Sequence, residues 1–247
     1  MPQIKKALVA LSFLIMFVSH SAYSAEHVYT YQDYSWYQGD APVYMGSTTN
    51  RICYLTGVAG EYRGRGEWVW VDPSSTSYYL NGDSSQKQVQ AWARCVTNPK
   101  GDVTTSRWTA NEDTNPIAYM RSYNDSNCFL TGFKGKFQGK GEVIEIIESQ
   151  LFNTLKVQSG QKHVEGKAAC VDRQSADLGT DYKWNQGAEP LTMKPTNTHV
   201  CYLTRISGDF DGYREKVRIT ASGNNWVLWG DSAQKDVTAT AKCVTSL

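Results

Sequence analysis

The sequence predicts an all-β protein built from three tandem, homologous antiparallel units, each a small β-sandwich or barrel holding one internal disulfide. Three observations predict it. Cys53 and Cys95, Cys128 and Cys170, and Cys201 and Cys243 are each 42 residues apart. The stretch "NRICYLTGVAGEYRGRGEWVWV" (50–71) returns as "SNCFLTGFKGKFQGKGEVIEI" (126–146) and again as "HVCYLTRISGDFDGYREKVRI" (199–219). Alternating apolar and polar positions between Gly, Asn and Asp turns, with no helical period, specify short strands.

The chain opens with a leader, residues 1–25. Lys5 and Lys6 precede the apolar run "ALVALSFLIMFV" and the small residues of "SAYSA", the three-part layout of a secretory signal peptide. Cleavage is expected after Ser24 or Ala25. The run is too short for a membrane span, which leaves an uncleaved anchor as the weaker alternative and no membrane insertion after cleavage. The formal charge is +1, and losing two lysines and no acid makes the exported chain −1. A near-neutral protein with no basic run lacks the footprint of a nucleic-acid binder or an anionic-membrane binder.

The first unit, 26–98, begins with the tyrosine-rich "VYTYQDYSWY"; the second spans 105–173 and the third 181–247. "NPKGDVTT" and "RQSADLGT" join them, with the composition of connectors. Upstream of each first cysteine come a tryptophan (Trp36, Trp108, Trp184), a proline (Pro42, Pro116, Pro190) and a methionine (Met45, Met120, Met193) in the same order. The repeat therefore extends beyond the cysteine loop. In an exported chain the shared interval selects the pairs Cys53–Cys95, Cys128–Cys170 and Cys201–Cys243. A metal site would need Cys-x-x-Cys or recurring histidines, and the chain has neither, so no metal and no cofactor is expected.

Positions identical in all three copies describe what a unit needs in order to fold. They include Gly60, Gly135 and Gly208, then Gly64, Gly139 and Gly212, then Glu67, Glu142 and Glu215. The glycines flank an aromatic (Tyr62, Phe137, Phe210) and read as a turn or bulge. The glutamates are expected to accept backbone hydrogen bonds or to pair with Lys87 and its equivalents. After each glutamate, Val69/Ile144/Val217 and Val71/Ile146/Ile219 stay apolar and face a core, whereas Trp68/Val143/Lys216 and Trp70/Glu145/Arg218 face out. Along the last strand Val89, Ala91, Ala93 and Cys95 face in, and Gln90, Trp92 and Arg94 face out. "GEVIEIIESQLFNTLK" looks helical but aligns with "DPSST" and "ASGNN", so it is two strands and a turn.

An active site normally breaks a repeat, yet the recurring polar set here belongs to every unit. There is no Gly-x-Ser-x-Gly elbow and no phosphate-binding loop, and "GEYRGRGE" is followed by a strand. A secreted hydrolase would require carboxylates such as Glu112, Asp113, Glu189 and Asp209 to meet across units, which their spacing does not arrange. What does break the repeat is aromatic. Trp68, Trp70 and Trp92, with Tyr79 on the strand between, take outward parity in the first unit; in the third, Trp229 and the turn residue Asn225 form a lesser candidate. Such faces suit stacking on sugar rings or anchoring a protein.

The pattern resembles, in a general way, the modular repeats of exported attachment proteins. It implies a secreted, extracellular or periplasmic, non-enzymatic recognition or adhesion protein, lectin-like, whose partner is a glycan or a cell-surface protein. The alternative is a structural subunit of an exported assembly, with the aromatics as contacts between units or subunits.

Overall fold

The computed structural model describes residues 30–97, 103–110, 117–122, 124–139, 141–149, 151–161, 163–174, 176–234, 236–245 and 247. The leader, Pro116, and the acids Glu112 and Asp113 lie outside the described residues. The first stretch supplies β1 (Tyr31–Tyr37), β2 (Val43–Ser47), β3 (Arg51–Ala59), β4 (Trp68–Pro73), β5 (Ser77–Asp83) and β6 (Gln90–Thr97). The second supplies β7 (Thr104–Thr109), β8 (Ile117–Tyr119), β9 (Ser126–Lys134), β10 (Val143–Glu148), β11 (Asn153–Gln158) and β12 (Glu165–Asp172). The third supplies β13 (Thr180–Asn185), β14 (Leu191–Pro195), β15 (Val200–Ser207), β16 (Lys216–Ser222), β17 (Asn225–Asp231) and β18 (Thr238–Val244). No helix occurs among the described residues. The helical-looking segment is the β10–β11 hairpin, as its alignment with turn-rich counterparts requires.

These strands form three six-stranded antiparallel sheets in the orders β1-β6-β3-β16-β17-β14, β2-β5-β4-β9-β12-β7 and β13-β18-β15-β10-β11-β8. Each sheet takes three strands from one stretch and three from another. The expectation of one self-contained sandwich or barrel per stretch is therefore corrected: β4 leaves β3 and pairs with β9, β10 with β15, and β16 with β3. Alternation dictates which side of a strand is buried but not which neighbour covers it, so the same pattern serves shared sheets equally well. The three sheets surround one continuous hydrophobic core.

The three disulfides form as the spacing requires, each between directly opposed residues of neighbouring strands of one stretch (β3/β6, β9/β12, β15/β18) with Cα atoms 4.1 Å apart. All six cysteines are buried. Closing a loop of about 43 residues is worth on the order of 4 kcal/mol in the chain-entropy account. A methionine lies against each bridge: the Met45 carbonyl, Met120 Sδ and Met193 Sδ are 3.7, 3.7 and 3.9 Å from the second cysteine's sulfur.

The three stretches close on one another through rings of main-chain hydrogen bonds. Tyr62 N–H donates to Phe210, Phe137 to Tyr62, and Phe210 to Phe137; a second ring joins Gly60 to Glu215, Gly135 to Glu67 and Gly208 to Glu142. The Tyr62, Phe137 and Phe210 rings form a near-equilateral triangle, 6.2–6.5 Å on a side and edge to face, the geometry that aromatic quadrupoles favour. Tyr54, Phe129 and Tyr202 form a second triangle, 5.3–6.1 Å on a side.

The recurring glycines follow from this closure. Gly60, Gly135 and Gly208 have φ near +107, +107 and +106°, and a Cβ there would run into the main chain of Gln88, His163 and Asp236. Gly64, Gly139 and Gly212 lie against the carboxylates of Glu67, Glu142 and Glu215, which are 1–3% exposed. The expected backbone donors and Lys87 are not what meets these glutamates: Ser85 donates to Glu67 and Ser159 to Glu142 at 3.5 and 3.2 Å, while among the described residues Lys87 forms no ion pair with Glu67 and Oε2 of all three carboxylates is buried without a hydrogen-bond partner.

Candidate ligand-binding face

The outward side of the β4–β9–β12 region gathers the residues with most chemistry. Trp68 and Trp70, two residues apart on β4, project to the same side; both are partly exposed and their rings lie 4.1 Å apart, tilted by 31°. Register places Lys134 of β9 opposite Trp68 and Gly132 opposite Trp70, and Lys167 of β12 opposite Gly132. Gly132 is what admits the lysine: a Cβ there would come within 2.8 Å of Lys167 Cβ. The Lys134 and Lys167 ammonium groups each sit 4.5 Å from the Trp68 ring centre, and Lys167 lies 5.6 Å from that of Trp70. Such cation–ring contacts contribute about 0.5–2 kcal/mol and fix both partners.

Past Trp70, β4 and β9 stop pairing and leave a groove of about 320 Å³ lined by Val71, Asp72, Pro73, Thr105, Ser106, Arg107, Thr131, Lys167 and Ala168. Lys167 thus belongs to both the aromatic pair and the groove. Burial lowers its pKa from the ordinary lysine value, against the pull of Asp72 and Glu165. Its neighbours are more firmly committed: Arg107 Nη2 is 2.5 Å and Lys134 Nζ 3.8 Å from Oε2 of buried Glu165. Tyr79, opposite Asp72 and 5.7 Å from the Tyr44 ring, extends the same face towards the sheet edge.

The predicted aromatic cluster is divided. Trp92 belongs to the sheet shared by the first and third stretches. It is 6% exposed and lies beneath the Arg218 guanidinium at 4.4 Å, so this ring is packed between stretches. Trp229 is on the same sheet, its indole N–H donating to Thr220 Oγ1 at 3.2 Å and its ring 5.4 Å from Lys216 Nζ. Asn225 is the first residue of β17 rather than a turn residue, four residues from Trp229, which at the rise of a strand is roughly 13 Å.

Arg94 departs from its expected outward exposure. It is 1% exposed, hydrogen-bonded through Nε and Nη2 to Asp33 at 2.6 and 3.0 Å, and 3.8 Å from the ring of Trp226. Strand parity is right, but a hairpin of the third stretch covers that side. Sequence reading missed Lys167, Lys134, Arg107 and Asp72 as companions of Trp70. The outward parity of Lys167, three residues before Cys170 as Trp92 is before Cys95, was the available signal; what it faces was not.

Of the acids considered for hydrolysis, Glu189 is exposed and Asp209 lies in a loop beside Asp211, its carboxyl pushed up by burial and then by Asp211. Among the described residues no group of three or more His, Cys, Asp or Glu is placed to hold a metal ion, and no helix is long and apolar enough to cross a membrane. The three disulfides suggest an oxidising, extracellular-type environment. No family model and no curated protein matches the chain.

Proposed function

We propose that the chain is a secreted, non-enzymatic recognition protein, made of three tandem homologous stretches after a signal peptide, and that it binds glycans through the face carrying Trp68, Trp70 and Tyr79. One observation carries this reading: two partly exposed indole rings lie side by side in the middle of a six-stranded sheet, at the lip of a groove of about 320 Å³. A sugar offers an apolar C–H face and a rim of hydroxyls; rigid indoles suit the face, and Asp72, Thr105, Ser106 and Thr131 suit the hydroxyls. Rigidity matters because ordering costs little when the platform is already fixed.

A glycan array probed with the protein lacking residues 1–25 tests the proposal. Binding to at least one glycan class, reduced tenfold or more in the Trp68→Ala/Trp70→Ala double variant while its thermal unfolding stays cooperative, is the expected result. An array with no binding, or binding indifferent to the double variant, overturns it.

A further inference from the structure

We propose, building on the glycan reading, that the groove beside Trp70 selects an anionic saccharide, a pyranose bearing a carboxylate or a sulfate, with Lys167 as the counter-charge. Lys167 is the residue common to the ring pair and the groove. Among the described residues it forms no ion pair within 4 Å, whereas Arg107 and Lys134 on either side share the Glu165 carboxylate. Its ammonium is held in place by two indoles, which attract it but leave its hydrogen-bonding capacity unused. A bound anion would supply a charge-assisted hydrogen bond in a site already partly dry, where such bonds are strongest. The equivalent groove between β10 and β15, also about 320 Å³, is lined by Glu145, Glu148 and Asp181; it has Thr240 at the position of Lys167, three residues before the second cysteine, and the cation that lines it, Arg205, is paired with Glu145 at 3.3 Å. That cation is satisfied from within the fold; Lys167 is not.

The geometry orders the ligand. A ring stacked against Trp70 would direct its charged substituent to Lys167, with the hydroxyls of Thr105, Ser106 and Thr131 on the far wall. The groove's volume suits one monosaccharide, so recognition would be of a terminal or single acidic residue rather than a long polymer.

The test uses matched pairs on one surface: sialylated and unsialylated N-acetyllactosamine, oligogalacturonate and its methyl ester, and 6-sulfated and unsulfated N-acetyllactosamine. The wild-type protein is expected to favour the acid member of at least one pair by about tenfold. Lys167→Gln should remove that preference yet keep binding to the neutral member, Lys167→Arg should largely keep it, and Lys183→Gln, at an exposed site on β13, should leave it unchanged. Preference in the carboxylate pairs or in the sulfate pair identifies which anion the groove takes. Equal binding of acid and neutral members overturns this inference and leaves the glycan reading standing. A preference that survives Lys167→Gln, or falls equally with Lys183→Gln, also overturns it, as bulk charge or another site. Binding to no member overturns this inference, and the glycan array then decides the glycan reading separately.

Discussion

Two grooves occupy the same place in two of the three sheets, and they differ in how the cation lining them is treated. Where β4 parts from β9, Lys167 faces two tryptophans; where β10 parts from β15, Thr240 takes its position and the groove's cation, Arg205, is paired with Glu145 at 3.3 Å, while Lys242, two residues beyond Thr240, is 2% exposed and clasped by Glu148 and Asp181. The frame is common to both, since both grooves open after three paired residues of the bordering strands. The lesson is that one backbone plan can hold either an internally neutralised cation or one left available to a ligand. The choice is made by a few outward side chains, Trp70 against Glu145 and Pro73 against Glu148.

Attacking the shared frame should have the largest effect and should erase the distinction altogether. Gly208→Ala places a Cβ against the main chain of Asp236 at a φ of +106°, and it should cost about 3 kcal/mol or more, read as a lowered chemical-denaturation midpoint. The two lysines should then separate. Lys242→Met strands the Glu148 carboxylate and should cost about 2 kcal/mol, less than a fully buried pair because Asp181 is 62% exposed at its side chain. Lys167→Met loses two ring contacts and regains its desolvation, so a change within about 0.5 kcal/mol is expected. Binding should discriminate more sharply still in direction though less in energy. Trp70→Ala should weaken glycan binding about tenfold, and Glu145→Ala, its counterpart in the other groove, should leave affinity unchanged.

The smallest effect concerns Asp209. Its folded carboxyl titrates above the ordinary value, so ionisation is disfavoured by the fold and its penalty is present at neutral pH; the penalty fades as pH falls through the raised pKa and is gone below the ordinary carboxylate range. Asp209→Asn keeps the acceptor for the Asp211 N–H. It should raise the Tm by about 1–2 °C at pH 7 and not at all at pH 3.

Much of this was legible in the sequence because repetition filters out accident. Three copies of one position show which side of a strand is apolar, and Val69, Ile144 and Val217 are all buried as that alternation requires. The cysteine interval fixed the bridges. The partners of the outward residues were not legible, because hydrogen bonding between strands is indifferent to whether the neighbouring strand comes from the same stretch or the next. Trp92 shows the cost: its parity was read correctly, yet Arg218, more than a hundred residues away, lies over it. The candidate site was half visible for the same reason. The two tryptophans stand out within their own stretch, but the lysine that gives the groove its character is contributed by another.

The circular exchange of main-chain hydrogen bonds among Tyr62, Phe137 and Phe210 constrains the protein's birth as well as its shape. The loop around Tyr62 donates to one reached only after Phe210 has emerged, and β3 waits for β16. Pairings so distant along the chain make for slow, late assembly. A polypeptide made from its N-terminus would therefore stay unfinished, its sulfur bridges able to form locally while its sheets are half-built, and would lock into place only once the last stretch had been added.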